Sequence, residues 1–466
     1  MKVSISGHFT YKKIFRLTIA PILMMVFISL YSVVDGICIA NLPSNPTLQS
    51  NAFAGVNLIY PITTVVGGFG MLFGAGGSAL IGKLLGQKKK EEAKKTFTNV
   101  IISALIVGVI LSIAGFFIVE PFAYAMADAG TGEFSGMIKE AISYGRILMA
   151  GQFLFIIQNM FHTLFIVDEK PHLGFIFSVA AGVTNIVFDV IFIGPCDMAA
   201  TGAAIATVMG FAVGAIGPVL YFFINKKGNI YFVKTKFEIK PVLKSASNGL
   251  SEFVNFAAMA ISGILFNYQL LKYYPGNMGQ VGVEAYGVIM YVILIFVGIF
   301  LGYSNTMSPV VSYNLGADNK KELSNVLKKS LIIITGISIA MLALGEGLAY
   351  PIALIFGTSQ EMIDLTITAM RFWSVAFLFS GLTIYGATFF MGLNNGLMAL
   401  IISLTRSVIL VVLFVFTLPL AMGANGIWLT PMCNEAGGAI LALILIFVYQ
   451  KKYGYSLFKN KSPSRT

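Results

Sequence analysis

Charge is what this chain has least of. Asp, Glu, Lys and Arg make up 11% of its 466 residues and hydrophobic residues 57%, where a soluble domain carries about 25% charged residues. With a mean hydropathy of +0.84, no soluble core of this length hides so much apolar surface, so lipid is the solvent. Cysteine is nearly absent. Cys38, Cys196 and Cys433 are far apart and form no CxxC pair, which implies neither disulfide nor metal site. Of three histidines, His8 lies in the N-terminal tail, His172 beside a short loop, and only His162 within an apolar run, where it reads as a polar group satisfied inside a bundle. There is no Asp-rich diphosphate motif, HExxH or pair of loop acids, so neither an enzyme nor a cofactor is expected. Proline is scarce (15) against 48 glycines, the balance of membrane helices that pack through small residues.

What is present is a series of apolar runs. Runs long enough to cross a bilayer, about 20 residues each, fall roughly at 14–40, 52–84, 97–119, 136–167, 171–194, 199–224, 241–271, 282–314, 326–350, 362–392, 396–420 and 424–450. The first follows Lys12, Lys13 and Arg16 and contains Asp35; it is too long for a cleaved signal peptide and reads as a retained helix. Several runs exceed one bilayer thickness, so bends are expected at Pro61, Gly67-Gly68 or Pro309.

All of the 31 Lys and Arg except Lys139, Arg146, Lys272, Arg371 and Arg406 cluster in the N-terminal tail, alternate loops, the 226–244 stretch and the C-terminal tail. The positive-inside rule then places both termini and the 225–240 linker in the cytoplasm. An even number of spans agrees, and the location is the plasma membrane. This topology explains the net charge of +11 without nucleic acid; Lys88–Lys90 leave anionic-lipid recognition open. Arg146 and Arg371, near the starts of their helices, are expected to snorkel outward.

The chain also repeats itself. Leu85-Gly86-Gln87-Lys88-Lys89-Lys90-Glu91-Glu92 closes one Gly-rich span, and Leu315-Gly316-Ala317-Asp318-Asn319-Lys320-Lys321-Glu322 closes another half a chain later. Tyr144-Gly145-Arg146-Ile147 is echoed by Ala369-Met370-Arg371-Phe372. Six spans separate the copies, so both run in the same direction. The expected fold is all-α and polytopic: an N-terminal six-helix lobe (1–224), a linker (225–240), a C-terminal six-helix lobe (241–450) and a basic tail (451–466). Two tandem lobes that rock about a shared cavity are an architecture of secondary transporters.

Carboxylates within the membrane cost roughly 2.5–3.5 kcal/mol on insertion scales, so each is a functional candidate by default. Asn185 and Asp189 are four residues apart and share a helix face. Asp189 lies about six residues before the loop and Thr207 about ten after it, which at about 1.5 Å per residue puts both in the outer half of the bilayer. Asp35, eight residues before Pro43, reaches a comparable depth. This hard-oxygen set suits Na⁺ equally with a proton shared between two carboxylates. Glu252 and Arg406 fall near the midplane of spans seven and eleven, and we expect them to pair.

Several of these features together resemble the multidrug and toxic compound extrusion (MATE) family of cation-coupled antiporters. They are Pro21 followed by Asp35 in span one, the two Leu-Gly turns, Asn185-x3-Asp189, Gly202-Ala203-Ala204-Ile205-Ala206-Thr207 and Ser251-Glu252. The resemblance covers essentially the whole chain. It implies twelve helices in two lobes, an outward V-shaped cavity, and export of amphipathic organic cations against entry of Na⁺ or H⁺, with no resident cofactor. It places an N-lobe cation site on Asp35, Asn185, Asp189 and Thr207, with Asn159 more peripheral. The chain departs from some relatives in having no acid in the body of span ten, which puts a C-lobe cation site in doubt. Phe155 and Phe266 are candidates to line the cavity. Small organic substrates and lipid are the expected partners, and a monomer the expected state. A lipid-linked oligosaccharide flippase of the same superfamily and a narrow-specificity metabolite exporter are the alternatives. Against the flippase stand twelve spans and a single central base, Arg406.

Overall fold

The computed structural model describes residues 4–128, 135–356 and 359–457; of the expected basic tail, 458–466 lie outside them. Among the described residues twelve helices are long and apolar enough to cross a membrane. They are α1 (Tyr11–Asn41), α2 (Pro46–Gly86), α3 (Lys90–Asp128), α4 (Ser135–Val167), α5 (Pro171–Ile193), α6 (Ala199–Ile224), α7 (Ile239–Tyr273), α8 (Met278–Gly316), α9 (Lys320–Phe356), α10 (Gln360–Gly392), α11 (Gly396–Met422) and α12 (Ala424–Val448). A short α13 (Gln450–Tyr453) follows. The protein is an all-α, multi-pass membrane protein.

The helices overrun the apolar runs because their ends carry their own start and stop chemistry. α2 and α5 begin on Pro46 and Pro171, whose missing N–H costs nothing in a first turn. α3 and α9 begin on Lys90-Glu91-Glu92 and Lys320-Lys321-Glu322, with acids where the helix dipole favours them. The positions expected to bend lie inside continuous helices, Pro61 within α2 and Pro309 within α8. The winding changes instead in α11, which widens to a π turn at Thr405–Ile409.

The tandem repeat is visible in the turns. Lys88 and Asp318, after α2 and α8, adopt left-handed backbone (φ 62° and 51°). In both turns the next residue's amide reaches back to a helical carbonyl, Lys89 to Leu84 and Asn319 to Asn314, at 2.9 Å. Glu169 and Asn394, after α4 and α10, repeat the device (φ 61° and 54°), with Lys170 bonded to Phe165 and Asn395 to Phe390, again at 2.9 Å. These are helix-terminating motifs that satisfy the last carbonyls. The membrane arginines repeat as well. Arg146 pairs with Glu120 at 2.5 Å, and Arg371 stands 3.9 Å from Glu346. Each arginine that was expected to snorkel alone faces an acid of the preceding helix.

Packing divides the chain into two compact units: Ile19–Ser78 with Lys90–Ile264, and Met1–Thr18 with Ala79–Lys89 and Leu265–Thr466. These divisions fall within α1, α2 and α7 and at the α2–α3 turn, not in the 225–240 linker. In the first unit, Gly76 of α2 meets the backbone of Ser245 and Gly249 of α7 so closely that no Cβ would fit. In the second, Gly86 and Gly316 let the end of α2 cross α8 with the same intimacy. The N-terminal segment joins that second unit through α9: the Phe9 amide donates to Glu322 (2.7 Å), and Lys329 and Asn325 donate to the Phe9 carbonyl (2.6 and 3.0 Å).

In the first unit the stretch after α6 lies strapped along the helix ends. Asp168, with no exposed side-chain surface, accepts the amides of Asn229 (2.7 Å) and Ile230 (3.2 Å) and pairs with Lys170 (2.9 Å). Lys170 also donates to Tyr221 (2.6 Å). Phe232 packs on Phe97 (5.1 Å between rings), Tyr231 accepts from Lys94 (2.7 Å) and the Val233 amide donates to Thr98 (3.1 Å).

Candidate functional site

Small residues on α5 and α6 create the site. Gly182 leaves room for Phe27 and Tyr31 of α1, and Gly210 lets α6 settle on Ala181 and Asn185 of α5. The helices can then present polar side chains to one another instead of apolar spacers. Asp35, Asp189 and Asn185 lie close enough together for their side chains to interact, without a well-formed hydrogen bond to either Asp189 oxygen. Asn185 donates to Thr207 at 3.3 Å. Asp189 is fully buried and Asn185 is 3% exposed. Asp35, Asn185, Asp189 and Thr207 therefore form one cluster. Asn159 stands apart, donating to the Gly67 carbonyl of α2 at 3.5 Å.

The cluster is rich in acceptors and poor in donors. One oxygen of Asp35, the amide oxygen of Asn185 and both oxygens of Asp189 are buried without a hydrogen-bond donor. Unpaired buried acceptors are costly, and two bare carboxylates side by side more so. A proton held between them, or a monovalent cation drawn onto their oxygens, removes that cost. Beside Asn185 and Thr207 lies a void of about 10 Å³, also bordered by Tyr31 and Gln158, about the size of one water. The Gln158 carbonyl oxygen is likewise without a donor. Among the described residues no three His, Cys, Asp or Glu side chains converge; the cluster offers carboxylate, amide and hydroxyl oxygens. Tyr31 and Tyr144 stand near enough to feel the charge of Asp35, and Tyr144 that of Asp189 too. Neither tyrosine was expected, since only the helical phase of α1 and α4 brings them here.

Of the two expected cavity aromatics, Phe155 packs at a tilt against Phe211 (4.5 Å) in the first unit and Phe266 stacks on Tyr286 (5.1 Å) in the second. The expected Glu252–Arg406 pair joins residues of different units. Within its own unit Arg406 takes another acid: its Nε lies 3.5 Å from Glu435 of α12. Glu252 is 1% exposed, on the part of α7 that belongs to the first unit. Glu435 was missing from the expected set although its signal was there, as the one acid in α12.

The MatE family profile matches residues 21–191 and again 253–417, once in each half of the repeat. The chain belongs to the MatE family. It is 24% identical to "Multidrug export protein MepA" of Staphylococcus saprophyticus over 423 residues, covering 87% of each chain. With the protein of the same name from Staphylococcus haemolyticus it shares 24% identity over 94% of this chain and 95% of the relative. Its fold matches that of a multidrug resistance MATE family transporter of the MOP superfamily, solved in an outward-facing conformation, with a TM-score of 0.87, 22% identity, and 97% and 98% of the two chains covered.

Proposed function

We propose that this protein is a secondary active multidrug exporter, expelling amphipathic, mostly cationic organic compounds in exchange for Na⁺ or H⁺ by alternating access. The observation that carries this reading is the Asp35–Asp189 couple. A buried carboxylate beside a half-buried one, with unpaired oxygens on both, has no structural use that apolar residues would not serve better, but the couple is suited to take up and release a cation. Membership of the MatE family and the name of the staphylococcal relatives, multidrug export protein, support the choice of cargo.

Coupling follows from linkage. An ion biases the exchange between two states only by its differential affinity for them. The couple must therefore hold the ion more tightly in one state than in the other. Asn185 and Thr207 act as neutral partners that keep the carboxylates oriented, and Tyr144 borders the charge. Each tenfold of ion gradient supplies about 1.4 kcal/mol, enough to hold a tenfold gradient of a substrate exchanged one for one.

The test is dye efflux from proteoliposomes with the proton and sodium gradients imposed separately. One of the two is expected to drive export on its own. Dye movement that follows neither gradient would refute ion coupling.

A further inference from the structure

The second compact unit has its own buried charge, and its geometry is unfinished. Arg406 lies about 15 Å into α11 from Gly396, and Glu435 about 16 Å into α12 from Ala424, at about 1.5 Å per residue. The two helices are consecutive, so the side chains meet near the middle of the membrane. Their contact is loose: a single Nε–Oε1 approach of 3.5 Å, where a charge-assisted bond is about 2.7–2.9 Å and arginine favours a two-pronged grip.

The local backbone explains the placement. The π turn at Thr405–Ile409 disturbs the regular ladder of α11, and the Arg406 carbonyl accepts from Asn434 Nδ2 at 3.2 Å. Gly438 of α12 lies under the stem of Arg406: a Cβ there would come within 3.0 and 3.2 Å of Arg406 Cβ and Cγ. Such π turns recur at functional sites.

Two acceptors remain without a donor. Glu435 Oε2 and Asn434 Oδ1 are both buried and unpartnered, on residues 9% and 7% exposed. The hydroxyls of Ser380 and Thr383 stand close to the Glu435 carboxylate, but the single hydrogen of each is engaged by main chain: Ser380 donates to the Ala376 carbonyl, and Thr383 to the carbonyls of Phe379 and Glu435 itself. No well-formed donor reaches the second Glu435 oxygen, although a guanidinium and two hydroxyls stand beside it. The side chains of Arg406 and Glu435 keep 14% and 11% of their surface accessible, so the pair is not sealed.

We infer that Glu435 and Asn434 form a recognition centre for a protonated amine of the transported compound, whose N–H groups take the two free oxygens while Arg406 is released from Glu435. This rests on the export reading above and names a substrate feature within it, a cationic nitrogen that carries hydrogens. Arg406 is the resident cation that the substrate replaces. It keeps the carboxylate compensated when the centre is empty, because a lone buried carboxylate is strongly unfavourable.

The experiment is equilibrium binding to the purified, full-length protein with two probes. Hoechst 33342 carries a piperazinium N–H. Tetraphenylphosphonium is a cation with no hydrogen to donate. Glu435→Gln is expected to weaken Hoechst binding about tenfold to a hundredfold, the loss of one charge-assisted hydrogen bond, and to leave tetraphenylphosphonium within about twofold. Arg406→Gln is expected to tighten Hoechst binding, since the competitor is gone. The opposite signs separate exchange from a static ion pair, which either substitution would harm alike. Asn434→Ala leaves no uncompensated charge and carries the test if Glu435→Gln does not fold; it is expected to weaken Hoechst alone by several-fold. Equal losses for both probes, or Hoechst binding unchanged or weakened in Arg406→Gln, would overturn the assignment. A wild-type protein that binds neither probe would instead undo the export reading itself.

Discussion

At the scale of residues, Asp189 decides what the first unit can do. It is fully buried, and neither of its oxygens has a donor. Asp189→Asn keeps the volume and supplies N–H donors toward Asp35, so the variant is expected to fold at least as well as the wild type. Drug binding in detergent is expected to persist. Gradient-driven efflux is expected to fall to the leak level in Asp189→Asn and in Asp35→Asn, because the ion no longer distinguishes the two states. The double variant is expected to be little worse than either, since members of one site act as a unit. Proteoliposome efflux at matched protein density checks this; near-normal efflux in Asp189→Asn removes the couple from the mechanism. The four polar residues of the cluster were legible in the sequence because lipid makes polarity rare, so every buried acid stands out. Tyr31, Tyr144 and Gln158 were not, because their types are ordinary and only helix rotation selects them. Glu435 was legible as the one acid of α12, but its partner Arg406 lies on a different helix, and only the packing of α11 on α12 pairs them.

At the scale of elements, the strap after α6 is held by one side chain. Asp168 accepts two main-chain amides and the Lys170 ammonium. Asp168→Ala leaves the buried Ile230 amide without its acceptor and sets Lys170 loose from its carboxylate, a cost on the order of 1–3 kcal/mol for each buried group left unpaired. The strap carries Lys226, Lys227, Lys234 and Lys236. Trypsin is therefore expected to cut between 226 and 236 faster in Asp168→Ala, whereas Asp168→Asn, which keeps an acceptor, is expected to fall between the two. Equal cleavage rates in all three would show that the aromatic contacts of Phe232 hold the strap without the carboxylate. The sequence announced a basic linker here and nothing of its docking, since such long-range pairing of a loop with Asp168 leaves no periodic trace. The helices themselves were legible to within a few residues because the apolar runs are set by bilayer thickness. Their ends were less so, because caps and first-turn charges extend them into the interface. The π turn of α11 had no signal at all.

At the scale of the molecule, orientation decides from which side the ion site is reached, and it rests on loop charge alone. The native cysteines offer a test. Cys38 is buried and Cys433 half-buried, while Cys196 is exposed in the turn between α5 and α6. That turn lies on the same side as the α1–α2 loop, for Asp197 accepts the Ser44 amide at 2.8 Å. By the positive-inside rule this side faces out, and the α2–α3 turn with Lys88, Lys89 and Lys90 faces in. A membrane-impermeant maleimide is expected to label the wild-type protein in intact cells, and Cys196→Ser is expected to abolish that labelling. In the Cys196→Ser background, a cysteine replacing the exposed Ser44 is expected to restore labelling of intact cells. One replacing Lys89 is expected to react only after the membrane is opened. The reverse pattern would turn the molecule over. The Asp35–Asp189 couple would then lie in the half of the membrane toward the cytoplasm; an inward ion gradient would still drive export, because exchange runs in the sense its gradients set, but the entering ion would have to cross most of the membrane to reach its site.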